Sequence, residues 1–388
     1  MNLVNDLSKV VEPEATLRQI SGELCKLDYR VHLNRKLNPK DYGVGIIGVG
    51  RIANQRQIPA YLNAGLNIVA VADIKEEIMK WTKERWNIKK GFLDYHRLLQ
   101  LDEVKIVDVL TNTFPRKQIL LDAIRSSKHV TSEKPFVRSY KNGVEIVEAA
   151  EKAGVKLTVH QPTRHYYPFA LARVLIEKGY IGEPFFIVDE MHGNQDKIYY
   201  ENPVTRWHAS LDDMLHVEWG AHHFDIIRFL SGKMPSNVYC VGTRMPGQNF
   251  KSLMANVYAL EFPGALRAAV IMNQVIQAKS GGWTCRIDST LGTIKIPHML
   301  TKLELYSKKL GNIPYKFTWD PSESLVGLNG VIGGHGGDMV DLVNAIFEGR
   351  EPISSGRDNL NTVCIYLAAK RSAEEKRPVN PAEIKRSS

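Results

Sequence analysis

Residues 43–53 read Gly-Val-Gly-Ile-Ile-Gly-Val-Gly-Arg-Ile-Ala. Val44–Ile47 is a short apolar run, the glycines follow, and a helical stretch continues to Asn63. The turn Gly48-Val49-Gly50-Arg51-Ile52-Ala53 has the form GxGxxA. Gly48 permits a tight turn, Gly50 lets backbone approach a pyrophosphate, and Ala53 is small enough for close helix–strand packing. Arg51 and Ile52 open the helix, whose free N–H groups and positive dipole end suit phosphates. Asp73 ends the next β-branched run, Asn67–Ala72. A carboxylate there accepts hydrogen bonds from adenosine ribose hydroxyls and repels a 2′-phosphate, so the pattern predicts NAD rather than NADP. Lys75 lies close enough to soften that choice. Strand, glycine turn and acidic strand end together predict a dinucleotide site rather than a bare turn.

Working outward, apolar runs alternate with helical stretches. Helices are expected over Glu76–Trp86, Lys117–Arg125 and Lys141–Lys152, and strands over Val104–Leu110, His129–Ser132 and Val155–Val159. Such alternation predicts a parallel sheet covered on both faces. After about Gly182 the character changes. Phe185–Val188, Val238–Val241, Ala255–Phe262, Leu266–Met272 and Thr284–Ser289 follow one another with turns between, which predicts an antiparallel sheet. A helix over Glu218–Leu230 interrupts them, and helices over Asp338–Glu348 and Asp358–Lys376 close the chain. Ahead of all this, Glu14–Leu27 has apolar residues at helical spacing and is followed by a basic arm. The expected organisation is an arm over 1–40, a dinucleotide-binding domain over 41–165 and a substrate-binding and association domain over 166–388.

Length and composition agree. A chain of 388 residues is too long for one ordinary core. Hydrophobic residues at 44% and charged residues at 24% exclude a disordered or collagenous chain. The net charge of +9 is spread among acidic residues, so no nucleic-acid partner is expected. No run reaches the ~18 apolar residues of a membrane span. Cys25, Cys240, Cys285 and Cys364 lack metal or redox spacing, and no signal peptide is evident. A reducing cytoplasm is the expected compartment.

Two further segments carry chemistry. Glu133-Lys134-Pro135 follows the strand His129–Ser132, which places Lys134 at the carboxyl edge of the sheet, where open α/β sheets bind ligands. Glu218-Trp219-Gly220-Ala221-His222-His223-Phe224-Asp225 puts Glu218 and His222 on one face of a regular helix. The segment lacks the ligand pattern usual for zinc, so no metal is expected.

These pieces resemble the glucose-fructose oxidoreductase/inositol dehydrogenase family, Gfo/Idh/MocA. The resemblance rests on Gly48–Ala53, Val71–Ile74, His129–Pro135, Gly179–Pro184 and the segment from Glu218 to Asp225. Ile346–Pro352, Ser354–Asp358 and Ser372–Val379 extend it, so it covers about 43–380. It implies an amino-terminal Rossmann domain and a carboxyl-terminal α/β domain with an open, mostly antiparallel sheet. It also implies hydride transfer between NAD and a hydroxyl carbon of a sugar, glycoside or cyclitol. Lys134 falls on the family's lysine, and Glu218 and His222 on its acidic–histidine pair. His222 is then the expected base, Lys134 the donor to the reacting oxygen, and Glu218 the carboxylate that orients His222 or grips a neighbouring hydroxyl. The adjacent His223 is a second candidate base. The cofactor set implied is completed by Thr111, Asn112, Thr113, Glu133 and Gln161. The chain departs from the family at Thr111–Arg116, where a Thr-Pro pair and a later His are usual, and at Glu218, where Asp is usual.

Arg164, His165, Trp207 and His335 are further expected substrate contacts. Association into a homodimer or homotetramer is expected. Two other activities fit the same residues. One is an NAD-dependent glycosidase or lyase that oxidises a sugar transiently and eliminates a leaving group. The other is a non-enzymatic NAD sensor.

Overall fold

The computed structural model describes residues 23–278 and 280–387. Most of the amphipathic stretch Glu14–Leu27 lies outside the described residues; from Glu23 onward it is described, and Leu24 is buried. The arm beyond it lies along this chain's own body. Val31 bridges to Ile332, and the Asn34 amide donates to Asn344 Oδ1 at 2.9 Å.

The first sheet is built from β1 (Val44–Ile47), β2 (Ile68–Ala72), β3 (Lys90–Phe92), β4 (Ile106–Val109), β5 (His129–Ser132) and β6 (Leu157–Val159). Their order is β3-β2-β1-β4-β5-β6, and every pairing is parallel. All four residues of β1 and of β4 are buried, as strands covered on both faces must be. The order reverses between β1 and β4, and a crevice opens at their carboxyl ends. The glycine turn, the loop from Thr111 and Lys134 leave the sheet at that edge. Gly48 has φ +89, and a Cβ there would meet the Thr111 amide nitrogen at 3.0 Å, so both conformation and space demand glycine. The helix after the turn is not regular. Ala53–Gln57 is a π-turn in which the Ile58 amide reaches back to the Ala53 carbonyl, directly before Pro59, which has no N–H to continue an α-ladder.

The second sheet has eight strands. They are β7 (Pro184–His192), β8 (Asn237–Thr243), β9 (Ala255–Glu261), β10 (Arg267–Asn273), β11 (Gly282–Ser289), β12 (Gly292–His298), β13 (Lys302–Ser307) and β14 (Pro314–Thr318). The order is β14-β13-β12-β11-β7-β10-β9-β8, antiparallel throughout except for β7 with β10. Strands β12 to β14 extend the sheet beyond the five runs picked out by pattern alone. Alternate residues point inward, such as Ile187, Asp189 and Met191 of β7, and helices Tyr167–Glu177, Gly220–Ser231 and Gly356–Glu375 cover that face. Helix Gly334–Glu348 returns to the first sheet, where Gly336 comes so near Ala60 that a Cβ would sit 2.9 Å from the alanine methyl. No helix among the described residues is long and apolar enough to cross a membrane.

Candidate active site

A cavity of about 710 Å³ lies between the carboxyl edge of the parallel sheet and the inner face of the second sheet. One wall is the glycine turn, through Gly50, Arg51, Ile52 and Ala53. Thr111, Asn112 and Thr113 continue it from β4, and Glu133 and Lys134 from β5. Glu218, His222 and Trp283 face them across the gap, with Trp207 at one side and His335 at another. Lys134 and His222 thus share one cavity, although 88 positions separate them in the chain (222 − 134).

The Rossmann wall is held by Arg116. Its buried guanidinium donates to the carbonyls of Thr111, Glu133 and Pro135, tying the β4 and β5 loops together. Asn112 caps the helix Thr113–Arg125 by accepting from the Phe114 amide at 3.3 Å. Asp73 stands beside the turn, its two oxygens accepting from the amides of Val49 (3.0 Å) and Lys75 (2.9 Å). It and Gly48 brace the turn from outside the cavity lining.

The facing wall departs from a regular helix. Met214–Trp219 is a π-turn, and the α-helix begins only at Gly220. The phase that would align Glu218 with His222 is therefore broken. Glu218 accepts from Arg138 Nη2 at 2.6 Å, while Lys134 Nζ donates to its backbone carbonyl at 3.1 Å. The expectation that Glu218 orients His222 is corrected: Nδ1 of His222 is buried without a partner. Burial, helped by the charges of Lys134, His223 and His335, holds the His222 imidazole well below its usual range, so it is neutral near pH 7. Burial likewise lowers His335 to about 3, with Arg56 adding to the effect. Glu133 is pushed upward by burial, against the pull of His160, Lys134 and Arg116.

Four expected contacts lie elsewhere. His223 is not a second base facing the cavity. It points into the second sheet, with Nδ1 2.5 Å from Asp189 Oδ2 and Nε2 3.3 Å from Met191 Sδ. Arg164 is spent on Asp225, at 2.6 and 2.7 Å, and on Asp358 at 2.8 Å. His165 sits 3.1 Å from Asp338 Oδ1. Both line a separate cleft of about 590 Å³. Gln161 gives its amide to Asp338 at 2.7 Å and keeps its side chain buried behind the wall.

Aromatic side chains complete the lining: Trp207 was expected there, whereas Trp283 carries no pattern in the sequence that marks it. Trp219 and Trp283 flank His222, at ring distances of 6.0 and 6.3 Å. Trp207 stacks on His208 at 3.7 Å and meets Phe114 edge-on at 6.2 Å. Arg116 closes the stretch Thr111–Arg116, in which the chain departs from the family pattern.

The cavity suits a dinucleotide. A Cβ at Gly50 would meet nothing within 4 Å, so the turn faces open space. Buried atoms without partners line it: Thr111 Oγ1, Thr163 Oγ1, Trp219 Nε1, His222 Nδ1 and His335 Nδ1. Unpaired buried polar atoms are costly in a finished fold and fit a site awaiting a polar ligand. A parallel sheet of this order, a glycine turn at its switch point and a second sheet closing the crevice define a two-domain NAD-binding oxidoreductase. The chain belongs to the Gfo/Idh/MocA family: residues 42–161 match its "Oxidoreductase family, NAD-binding Rossmann fold" and residues 169–295 its carboxyl-terminal domain. It is 22% identical to a myo-inositol 2-dehydrogenase of Thermotoga maritima over 88% of this chain and 99% of that one. It is 23% identical to a D-apiose dehydrogenase of Rhizobium rhizogenes over 89% and 99%. An Agrobacterium radiobacter oxidoreductase solved with NAD+, L-tartaric acid and magnesium superposes with a TM-score of 0.78 at 20% identity, covering 89% of this chain and all of that one.

Proposed function

We propose that this oxidoreductase transfers hydride between NAD and a secondary hydroxyl carbon of a sugar, glycoside or cyclitol. The observation that carries the reading is the meeting of Lys134 and a neutral His222 in the cavity that the glycine turn opens into. When bound, the nicotinamide supplies the hydride acceptor. His222 takes the hydroxyl proton, since a neutral imidazole has a lone pair free for it. The Lys134 ammonium donates to the same oxygen and stabilises the charge that develops there. Glu218 accepts a hydrogen bond from a neighbouring hydroxyl, and Trp207, Trp219 and Trp283 offer flat apolar faces to a sugar ring. Thr111–Thr113, Glu133 and the turn residues hold the cofactor. The dehydrogenase relatives named above act on polyols by name, which supports the substrate class. The assembly is a homodimer or homotetramer.

The test is direct. Purified protein is examined by fluorescence and mass analysis for bound nucleotide, then offered NAD+ with a panel of cyclitols, aldoses and glycosides. NADH appearing with one of them supports the proposal. Release of an aglycone without net NADH points instead to the elimination chemistry, and nucleotide binding without turnover to the sensor.

A further inference from the structure

Arg138 lies four residues beyond Lys134, where the chain leaves β5 for the helix Tyr140–Ala153. Its guanidinium joins three segments. Nη1 donates to both oxygens of Asp213 at 2.6 and 2.7 Å, Nη2 to Glu218 Oε1 at 2.6 Å, and Nε to Thr113 Oγ1 at 3.2 Å. The side chain is 21% exposed, and those of Asp213 and Glu218 are 9% each. All three nitrogens are engaged, and four of the five N–H groups of the fork are used within the protein. Lys134 meanwhile holds the Glu218 carbonyl. Glu218 is thus gripped at both ends, and among the described residues no hydrogen bond is made to its Oε2.

We propose that Arg138 is a positioning residue: it balances the paired charges of Asp213 and Glu218, occupies one Glu218 oxygen, leaves the other for a substrate hydroxyl, and ties that side chain to the Thr113 loop. The inference rests on the reading of Glu218 as a hydroxyl contact given above. The physical case is charge balance. Asp213 and Glu218 are nearly buried on the same cation. Without Arg138 they become two like charges in a poorly solvated place, and one of them takes up a proton. The other groups that bear on Glu218 are the cations Arg116 and Lys134, with His208, Tyr199 and Tyr366. None of these makes a hydrogen bond to its carboxylate.

The experiment uses the full chain and has two arms. In the first, thermal midpoints are measured against pH for the wild type, R138M and R138M/E218Q. A carboxyl raised in the folded state costs stability as pH climbs above its unfolded value, near ~4.3. R138M should therefore lose midpoint relative to wild type from about pH 5 upward, and the double variant should lose most of that slope. An R138M profile parallel to wild type overturns the proposal. In the second arm, kcat and KM are measured with NAD+ and myo-inositol, or the polyol that the wild type turns over fastest. E218Q and R138M should each lower kcat/KM about ten- to a hundredfold, the worth of one charged hydrogen bond. Their combination should do no more than the worse single change, whereas additive losses overturn the proposal. R138K serves if R138M does not fold. It keeps the charge but not the fork, so it should keep the wild-type stability profile and raise KM more than it lowers kcat; an unchanged KM overturns the proposal. If the wild type oxidises no polyol, the proposed function fails, and the first arm still decides the role of Arg138.

Discussion

His222 works, on this reading, because it is held without a proton. Replacing it with alanine should lower kcat/KM by about 10²–10⁴-fold, the usual worth of a positioned general base. In the wild type the acid limb of kcat/KM should lie below the ordinary histidine value of ~6.5, because burial and Lys134 both disfavour the imidazolium. An acid limb at or above that value would contradict the geometry. The same physics sets stability. His222, His335 (about 3) and His216 (lowered by burial to about 4) stay neutral in the fold. The unfolded chain binds protons at these sites below about pH 6.5, so stability should fall as pH drops from there. His160 has the opposite sign. Burial would lower it, but Asp108, 2.9 Å away, together with Glu133 and Asp338 outweighs burial and holds it up to about 9. Its contribution is full below about pH 6.5 and is lost as pH rises through 9. Thermal midpoints should therefore peak near neutrality and fall on both sides, and H160Q should flatten the alkaline side. Lys134 and His222 could be picked out because motif and spacing mark them. Arg116 and Arg138 could not, since an arginine that binds carbonyls or carboxylates from distant segments has no local pattern.

At the scale of elements, Gly48 and Gly50 do different work. Gly48 needs its left-handed backbone and meets Thr111 at once, so G48A should strain the turn, lower stability by about 1–2 kcal/mol and weaken NAD+ binding. Gly50 has open space around its absent side chain. G50A should fold with an unchanged thermal midpoint yet bind NAD+ more weakly, because on the proposed reading that space takes the pyrophosphate; NADH fluorescence titration beside a melting curve separates the two. Equal midpoint losses for both variants would mean that Gly50 is structural. The alternation of β1, β2, β4, β5 and β6 was readable because strands buried on both faces and short amphipathic helices have distinct periods, whereas β3, three half-buried residues with one apolar side chain, has no period to read. The two π-turns were not. Ala53–Gln57 and Met214–Trp219 have the composition of ordinary helix, yet each shifts the phase of the α-helix it leads into, and the second decides that Glu218 meets Arg138 and not His222. Strands β12 to β14 escaped notice because exposed polar residues dilute their short apolar runs.

For the whole molecule, the feature that calls for a partner is the outer face of the second sheet. Cross-strand register aligns Val188, Ala269, Ala259 and Tyr239 in one row and Glu190, Ile271, Val257 and Val241 in the next. Val257 is 50% exposed and Val241 56%, and Phe186 stands exposed at the neighbouring row. Contiguous apolar sheet of this kind is rare on a monomer and marks an interface. The β11–β14 half carries Arg286, Asp288, Lys295 and Glu304 on the same side, which gives an apolar centre and a charged margin, as interfaces have. Eight strands about 4.8 Å apart, each about seven residues long, make a face on the order of 800 Å², the area that one partner gives to a stable complex. The homo-oligomer proposed above would use that face, since an identical partner would meet the same apolar centre through a two-fold axis. Sedimentation of the wild type should then give at least twice the monomer mass. V257K/I271E should give the monomer mass and retain NAD+ binding, because the cavity lies on the other side of the sheet. A wild type that sediments as a monomer at micromolar concentration would remove the dimer and leave the face to a different protein.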